Sequence, residues 1–232
     1  KKKINIDLDN VNKDTLDELF HYYGSDKANI FKKTQNQGHG FSEFYTQHLK
    51  HLKQREIKIL EIGSYAGASA SAFVKYFPNS KVYCFDINIS KFIYYSKNIH
   101  VFGLNIKDKE KVEKTLSKIN SESNSIFFDV IIDDGSHYLS DILFSLNTLF
   151  RYVKKGGIYV IEDFKHPNYY DYNKNIDHIL VDQMLRNLKE KKLFNSNIIK
   201  NEDQIYLHNN IDKVETYKGN LTDSDICFIR KK

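Results

Sequence analysis

Short apolar segments alternate with helical segments along this chain from residue 58 onwards, and this alternation constrains the fold more than any other feature of the sequence. Five of the apolar segments have the length of a buried strand, and the stretches between them suit crossover helices. These segments are residues 58–62, 81–85, 99–104, 128–132 and 157–161. The pattern predicts an α/β fold with a doubly wound, mostly parallel sheet, which is a Rossmann-like arrangement.

The segments on either side of this alternation have other patterns. Apolar residues recur with helical spacing in residues 14–23 and 41–52, which predicts an N-terminal helical lobe or lid over residues 1–57. Residues 183–193 are also predicted to be helical, and closing strands with no helix between them are predicted to follow at residues 204–207, 214–217 and 226–230. Because 232 residues suit one domain of generous size, we assign residues 58–232 to a single α/β domain.

The composition is typical of a folded protein outside the membrane. Hydrophobic residues make up 41% of the chain, only two residues are proline, and no run of about 18 apolar residues occurs. The first nine residues contain no apolar stretch of signal-peptide length, so we predict a cytoplasmic location. Cys84 and Cys227 lie in strand-like runs, where free thiols pack as small apolar groups.

The excess of basic residues is small and does not indicate a nucleic-acid partner. The chain has 35 lysines and arginines against 30 acids, and only four of the 35 are arginine. Nucleic-acid readers rely on arginine forks and clustered basic faces, and neither is visible in the sequence. The sequence leaves the oligomeric state open, including a homo-oligomer.

The residues that end the predicted strands are unusually acidic. In an open parallel sheet, ligands bind outside the carboxyl ends of the strands, so these residues are the first candidates for a binding site. The carboxylates at these positions are Glu61, Asp86, Asp133, Asp134, Glu162 and Asp163. The sequence therefore predicts a functional site at this edge of the sheet.

The first predicted strand runs into a turn that contains Gly63, Ser64 and Gly67. Glycine lets the backbone approach a bound nucleoside closely. The GxxxG spacing differs from the GxGxxG of pyrophosphate binders, and Glu61 beside the turn suits a cationic ligand such as S-adenosylmethionine. Asp86 ends the second strand 25 residues after Glu61, where a carboxylate can accept hydrogen bonds from both hydroxyls of a ribose. On Asp86 alone, NAD remains an alternative cofactor.

Two segments, LEIGSYAGAS at 60–69 and VYCFDIN at 82–88, resemble the class I S-adenosylmethionine-dependent methyltransferases. Further similar segments are YGSDK at 23–27, HGFSEFY at 39–45, DVIIDDGSHY at 129–138 and KKGGIYVIEDF at 154–164. With these segments the chain resembles the bacterial sugar O-methyltransferases related to the mycinamicin enzymes. The class-level resemblance covers roughly residue 58 to the C-terminus.

The resemblance implies both a cofactor and an acceptor. The cofactor is S-adenosylmethionine, and the acceptor is a sugar hydroxyl on a nucleotide-linked sugar, a polysaccharide or a glycoside. Asp133 and the residues after the third strand are expected to bind the cofactor. There the relatives often carry Gly-Asp-Gln, whereas this chain has Asn105 and retains Asp108.

The resemblance also implies a metal centre and a general base. It assigns Asp134, Glu162 and Asp163 to a divalent metal, and ligation by oxygen alone favours magnesium. It assigns His137, three residues after Asp134, as the base that takes the proton of the acceptor hydroxyl. A base is needed because a sugar hydroxyl is a poor nucleophile until its proton leaves.

Other candidate residues have both functional and structural explanations. His39, between two glycines, could contact the cofactor or acceptor through the lid, or lie in a solvated loop. His166 follows the acidic pair closely and could touch the substrate. Tyr169, Tyr170 and Tyr172 could stack on a sugar face, although packing explains them at least as well.

Three other functional classes compete with the methyltransferase. An NAD-dependent oxidoreductase is supported by Asp86 but opposed by the GxxxG spacing and by Glu61. A non-catalytic binding protein would not explain why the acids and a histidine collect at one edge. A nucleic-acid methyltransferase is opposed by the scattered lysines. The sequence therefore predicts a sugar O-methyltransferase.

Overall fold

The structure is a computed structural model that describes residues 3–123, 127–170 and 176–232. Its strands are β1 (Ile4–Asn5), β2 (Ile57–Ile62), β3 (Ser80–Asp86), β4 (Tyr94–Tyr95), β5 (Ile99–Gly103), β6 (Phe128–Asp133), β7 (Val153–Ile161), β8 (Ile211–Lys218) and β9 (Asp225–Lys231). Its helices are α1 (Leu16–Tyr23), α2 (Ser42–Leu49), α3 (Ala68–Tyr76), α4 (Lys109–Ser123), α5 (Leu139–Leu149), α6 (His166–Tyr169), α7 (Val181–Glu190) and α8 (Asn201–Asn210). The five predicted strands of the parallel sheet are β2, β3, β5, β6 and β7.

Within the described residues, seven strands form one sheet in the order β5-β3-β2-β6-β7-β9-β8. The strands from β5 to β7 are parallel, and β9 runs antiparallel to both β7 and β8. The chain passes from β2 outwards to β3 and β5 and then returns to β6 on the other side of β2. This reversal opens a crevice at the carboxyl ends of β2 and β6, where such sheets bind their ligands. The predicted doubly wound, mostly parallel Rossmann-like fold is confirmed.

The N-terminal segment supplies part of the helical layer on one face of the sheet. Helix α1 begins with a capping box between Thr15 and Glu18 and ends at Gly24, whose φ of +80° is left-handed. Phe20 of α1 and Tyr45 of α2 are buried in one core with residues of α3, β2, β6 and β7. Residues of α4, α5, α7 and α8 pack in the core on the other face. The predicted N-terminal helices are thus present, while the division into two domains stays a prediction.

One of the predicted closing strands is wrong, because residues 204–207 belong to helix α8. The buried side-chain amide of Gln204 donates to the backbone oxygens of Phe194 and Ile199. Leu207, almost one helical turn later, packs in the core. This short stretch is mostly apolar, as in a strand, but its two buried positions are three residues apart. That spacing brings them to one face of a helix.

The other predictions for the C-terminal half are confirmed. The helix predicted at 183–193 is α7, and the strands predicted at 214–217 and 226–230 lie within β8 and β9. Cys84 and Cys227 are buried free thiols. None of the helices in the three described ranges combines the length and the apolar character that a membrane span requires.

Candidate active site

The predicted acids meet at the edge of the sheet where the strand order reverses. Asp133 of β6 is in register with Ile62 of β2. The backbone N–H of Asp134 donates to the oxygen of Ile62, and that of Glu162 donates to the oxygen of Asp133, both at 3.0 Å. Asp86 ends β3, the neighbour of β2 on its other side. Backbone pairing therefore brings together residues that are far apart in the sequence.

The turn between β2 and α3 requires glycine at two positions. Gly63 has a φ of +82°, and a Cβ atom there would lie 1.9 Å from the backbone oxygen of Asp134. Gly67 has a φ of +81°, and a Cβ atom there would lie 2.4 Å from the ring of Phe92. Both positions combine a left-handed backbone with a close neighbour, so a larger residue would displace the turn.

Glu61 is completely buried beneath this turn. One of its carboxylate oxygens accepts a hydrogen bond from the hydroxyl of Ser69, and the hydroxyl of Ser64 donates to its backbone oxygen at 3.3 Å. The other carboxylate oxygen, Oε2, has no hydrogen-bond partner among the described residues. Burial raises the pKa of Glu61, although Lys27 and Ser69 oppose this shift. A buried carboxylate oxygen without a donor fits a cationic ligand such as the predicted cofactor.

A cleft formed by two adjoining cavities lies over the glycine turn. The first has a volume of about 290 Å³ and is lined partly by Lys27 and Ser64. The second has a volume of about 480 Å³ and is lined partly by Asp86 and Asn105. Gly63 lines both cavities, which joins them into one cleft. The cleft has the size of a small-molecule site.

Asp86 is held rigidly at the edge of the second cavity. Its two carboxylate oxygens accept hydrogen bonds of 2.7 Å from the backbone N–H groups of Tyr65 and Asn88. Each carboxylate oxygen can accept a further bond. The predicted ribose acceptor therefore lies where a nucleoside in the cleft could reach it.

The other predicted cofactor residues differ in their surroundings. Asp133 lines the second cavity, and burial raises its pKa to about 7. Asn105 lines the same cavity and accepts a hydrogen bond from the N–H of Lys107 at 3.0 Å. Asp108 instead accepts a hydrogen bond from the N–H of Lys111 at 3.1 Å in the first turn of α4. This is the position of a helix cap, which explains an aspartate there without a ligand.

Asp134, His137 and Asp163 form a compact group beside the cleft. Each residue offers one ligand atom, and these atoms all lie within 4.8 Å of one another. His137 Nε2 is 3.7 Å from Asp134 Oδ1 and 3.8 Å from Asp163 Oδ2. Two carboxylates and one imidazole at such distances could hold a divalent cation.

The backbone of two members of this group is left-handed. His137 has a φ of +57° and Asp163 a φ of +48°. A non-glycine residue in this region costs of order 1–3 kcal/mol and persists only where the surroundings impose it. Such outliers concentrate at functional sites. Here they bring His137 Nε2 and Asp163 Oδ2 to within 3.8 Å of each other.

Glu162 has partners other than the predicted metal. The ammonium group of Lys27 donates to Glu162 Oε2 at 2.7 Å and also contacts Asp134 Oδ2. The hydroxyl of Tyr45 donates to Glu162 Oε1. Within the described residues, the compact group that could hold a metal contains Asp134 and Asp163 from the predicted set, together with His137. The assignment of Glu162 as a ligand stays a prediction.

Lys27 and Tyr45 are site residues that sequence reasoning missed. Both side chains are almost fully buried. Burial alone would lower the pKa of Lys27, but Asp134 and Glu162 outweigh it and hold this pKa well above its usual value. Burial raises the pKa of Tyr45, and Glu162 raises it further, so the phenol stays a donor. The available signal was their position in the two N-terminal segments, 23–27 and 39–45, that carry the family resemblance.

His39 contacts the acidic group from the N-terminal segment. Its Nδ1 atom lies 3.4 Å from Asp163 Oδ1 and 2.9 Å from the hydroxyl oxygen of Ser224. Burial lowers the pKa of His39, but the contact with Asp163 outweighs this effect, and the pKa rises to about 9. The imidazole is therefore charged at neutral pH and compensates Asp163. His39 is not a solvated loop residue.

The remaining aromatic candidates follow β7: His166 and Tyr169 lie in the short helix α6, and Tyr170 lies directly after it. The His166 ring is tilted by 33° against the ring of Tyr170, with centroids 4.2 Å apart, and its centroid is 5.7 Å from that of His137. The hydroxyl of Tyr169 donates to Asp225 at 3.1 Å. Tyr172 lies outside the described residues. The proposed stacking of these tyrosines on a sugar stays a prediction.

Residues 60–164 match the family described as "Methyltransferase domain". The match begins in β2 and ends directly after Asp163, so it includes the glycine turn, Asp86 and the acidic group. The matched stretch is the part of the chain that is similar to a methyltransferase domain, and the order of the strands in the sheet agrees with it. The resemblance found in the sequence is confirmed at this level.

The chain is also similar to curated sugar O-methyltransferases. It is 31% identical to the L-olivosyl-oleandolide 3-O-methyltransferase of Streptomyces antibioticus over 64% of this chain and 36% of that protein. It is 29% identical to the mycinamicin VI 2''-O-methyltransferase of Micromonospora griseorubida over 54% of this chain and 31% of that protein. The chain thus spans about a third of the length of these relatives.

A solved structure has a similar fold. The methyltransferase MycE from the mycinamycin biosynthetic pathway, in complex with Mg and SAH, superposes with a TM-score of 0.69 at 22% identity. The similarity covers 95% of this chain and 55% of that one. At this identity the similarity is evidence for the fold alone. It agrees with the doubly wound sheet described above.

Proposed function

We propose that this chain is an S-adenosylmethionine-dependent O-methyltransferase that acts on a sugar hydroxyl with the assistance of a divalent metal, magnesium. The observation that carries the proposal is the compact group of Asp134, His137 and Asp163 beside a cleft at the switch point of the sheet. The names of the similar proteins, which are sugar O-methyltransferases, support the same reaction. The fold neighbour in complex with Mg and SAH supports the same cofactors.

The cleft residues would bind the cofactor. Asp86 accepts hydrogen bonds from the ribose hydroxyls, and the buried carboxylate of Glu61 beneath the glycine turn attracts the cationic part of the molecule electrostatically. Gly63 and Gly67 allow the backbone to approach it. Asp133 borders the nucleoside side of the cleft.

The group beside the cleft would bind the metal and accept the proton. When bound, the cofactor would supply the sulfonium methyl group and leave as S-adenosylhomocysteine, and the metal would polarise the acceptor hydroxyl and lower its pKa. Asp134 and Asp163 supply carboxylate oxygens for the metal. His137 takes the hydroxyl proton at Nε2, where the two nearby carboxylates stabilise the positive charge that develops on the ring. Glu162 would have to exchange its contact with Lys27 to become a third carboxylate ligand.

Replacing Asp86 by alanine should weaken the binding of S-adenosylhomocysteine by about one to two decades. The substitution removes a charge-assisted hydrogen bond to the ribose, worth roughly 1.5–3 kcal/mol. Isothermal titration calorimetry measures the change. Asp14→Ala, which removes an exposed carboxylate before α1, is the matched control and should bind like the wild type. Equal affinity for the wild type and Asp86→Ala would show that Asp86 does not hold the ribose.

Replacing Asp163 by asparagine should weaken Mg²⁺ binding at least about tenfold. The substitution keeps the shape of the side chain but removes a charge that a hard cation prefers. Titration of both proteins with Mg²⁺ measures the affinity directly. In a separate experiment, exhaustive chelation of the wild type should abolish methyl transfer. Asp203→Asn is the control, because Asp203 lies on α8 and pairs with Arg151 instead of with the acidic group. Full activity after chelation would contradict the metal assignment.

The reaction itself is tested by incubating the chain with labelled S-adenosylmethionine and a panel of nucleotide sugars, polysaccharides and glycosides. Transfer of label to a sugar is the expected result. Calorimetry with S-adenosylmethionine and NAD separates this function from the oxidoreductase alternative, since each predicts binding of its own cofactor. A cytoplasmic location, a homo-oligomeric state and the lack of a nucleic-acid partner stay predictions.

A further inference from the structure

A second groove opens next to the acidic group, on the side of the antiparallel strands. It has a volume of about 600 Å³ and lies between α7, strand β8 and the loop after β7. Phe164 and Lys165, which line it, directly follow Asp163 in the chain. The backbone N–H of Phe164 donates to the oxygen of Asp225, which also lines the groove. The groove wall therefore continues directly from Asp163 of the acidic group, while none of the described residues that line the cofactor cleft lines the groove.

One face of α7 presents unpaired positive charge to this groove. Asp182, Arg186 and Lys189 line it, and their spacing of four and three residues places them on one helical face. Arg186 and Lys189 are exposed, and neither lies within ion-pair distance of an acid in the described part of the chain. Asp182 accepts a hydrogen bond from the side chain of Asn168 at 3.2 Å.

The opposite wall adds further lysines. Lys165 and Lys218 both contact the buried carboxylate of Asp225, at 2.9 and 2.8 Å. Their two positive charges more than compensate this single acid. The charged residues that line the groove are thus four basic residues against two acids. This excess is local, because the chain as a whole carries a net charge of only +5 over 232 residues.

We propose that this groove binds the diphosphate of an acceptor sugar carried on a diphosphate, such as a nucleoside diphosphate sugar. An arginine fork and lysine ammonium groups on two facing walls suit adjacent phosphate groups. Phe164 and Lys165 of the groove directly follow Asp163, so we expect a sugar next to the diphosphate to lie on the side of the acidic group. This inference rests on the proposed function for the identity of the acceptor and adds the chemical class of its carrier.

The test is calorimetric titration of the whole chain with inorganic pyrophosphate and with uridine diphosphate, in buffer without divalent metal. The test variant combines Arg186→Gln and Lys189→Gln, which remove both charges from the exposed face of α7. We expect both ligands to bind the wild type and to bind the double variant at least about tenfold more weakly, since each lost contact is charge-assisted. The control is Lys114→Ala, an exposed lysine on α4, which should bind like the wild type.

The outcomes separate this inference from the proposed function. S-adenosylhomocysteine should bind the wild type and the double variant equally. Failure of pyrophosphate and uridine diphosphate to bind the wild type, or equal binding by the double variant, would overturn the groove assignment even if S-adenosylhomocysteine binds. Charge-dependent pyrophosphate binding without S-adenosylhomocysteine binding would retain the groove and refute the methyltransferase. Tighter binding of uridine diphosphate than of pyrophosphate would support a nucleotide carrier, and equal binding would support recognition of the diphosphate alone.

Discussion

Replacing His137 by alanine should slow methyl transfer by about 10²–10⁴-fold, which is the usual cost of removing a general base. The reason is positional, because Nε2 lies 3.7 and 3.8 Å from two carboxylates beside the cofactor cleft. The affinity for S-adenosylhomocysteine should stay unchanged, since Asp86 and Glu61 are intact. The measurement is the single-turnover rate with labelled S-adenosylmethionine, together with calorimetry of cofactor binding.

A Mg²⁺ titration of His137→Ala separates a base from a ligand. His137 belongs to the group whose ligand atoms lie within 4.8 Å of one another, so a direct role in metal binding has to be tested. A base predicts a slow variant with the Mg²⁺ affinity of the wild type. A large loss of Mg²⁺ affinity would assign His137 to the metal instead. His51→Ala, an exposed histidine after α2, is the control and should react at the wild-type rate.

Replacing Lys27 by methionine should lower the free energy of unfolding by roughly 3–5 kcal/mol at pH 8. Methionine keeps the length of the side chain, but the carboxylates of Asp134 and Glu162 lose the buried cation that compensates them. Removing one partner of a buried ion pair costs this much because the remaining charge is left in a poorly solvated place. Urea unfolding in the presence of a chelator measures the effect.

The decrease in the free energy of unfolding caused by Lys27→Met should be smaller at pH 5 than at pH 8. Burial, together with Asp134, raises the pKa of Glu162, while Lys27 lowers it. Without Lys27 the folded-state pKa rises further above the unfolded value. A carboxyl with a raised folded-state pKa favours the folded state below the unfolded pKa, and this advantage is lost as the pH rises through the folded-state pKa. The stability of the variant therefore falls with rising pH more steeply than that of the wild type.

Two further variants test the cause of this effect. Lys118→Met removes an exposed lysine that lies 3.9 Å from Glu122 on α4, and it should change stability little. Glu162→Gln in the Lys27→Met background removes the uncompensated charge and should recover part of the loss. Equal stability of Lys27→Met and the wild type at both pH values would show that Lys27 does not balance the acidic group.

Local sequence patterns predicted which residues collect at the edge of the sheet, because the end of a strand depends on only a few neighbouring residues. A parallel strand is an apolar run of about five residues, so its carboxyl end can be located and the residue that follows it can be named. This is why Glu61, Asp86 and Asp133 were assigned to one edge before their contacts were known. The same local reasoning failed at residues 204–207, which belong to helix α8: the buried residues Gln204 and Leu207 are three positions apart and lie on one helical face.

The sequence by itself determined the fold class, the edge of the sheet that carries the acids, and the glycine turn, because each depends on neighbouring residues. Only the tertiary structure decided how the charges at that edge are balanced. Lys27 lies 107 residues from Asp134 and 135 residues from Glu162 in the chain, and Tyr45 lies 117 residues from Glu162. No pattern of a few residues encodes such a pairing, since it arises when the N-terminal segment packs over the sheet. For the same reason the positive groove, built from α7, β8 and the loop after β7, is visible only in the folded chain.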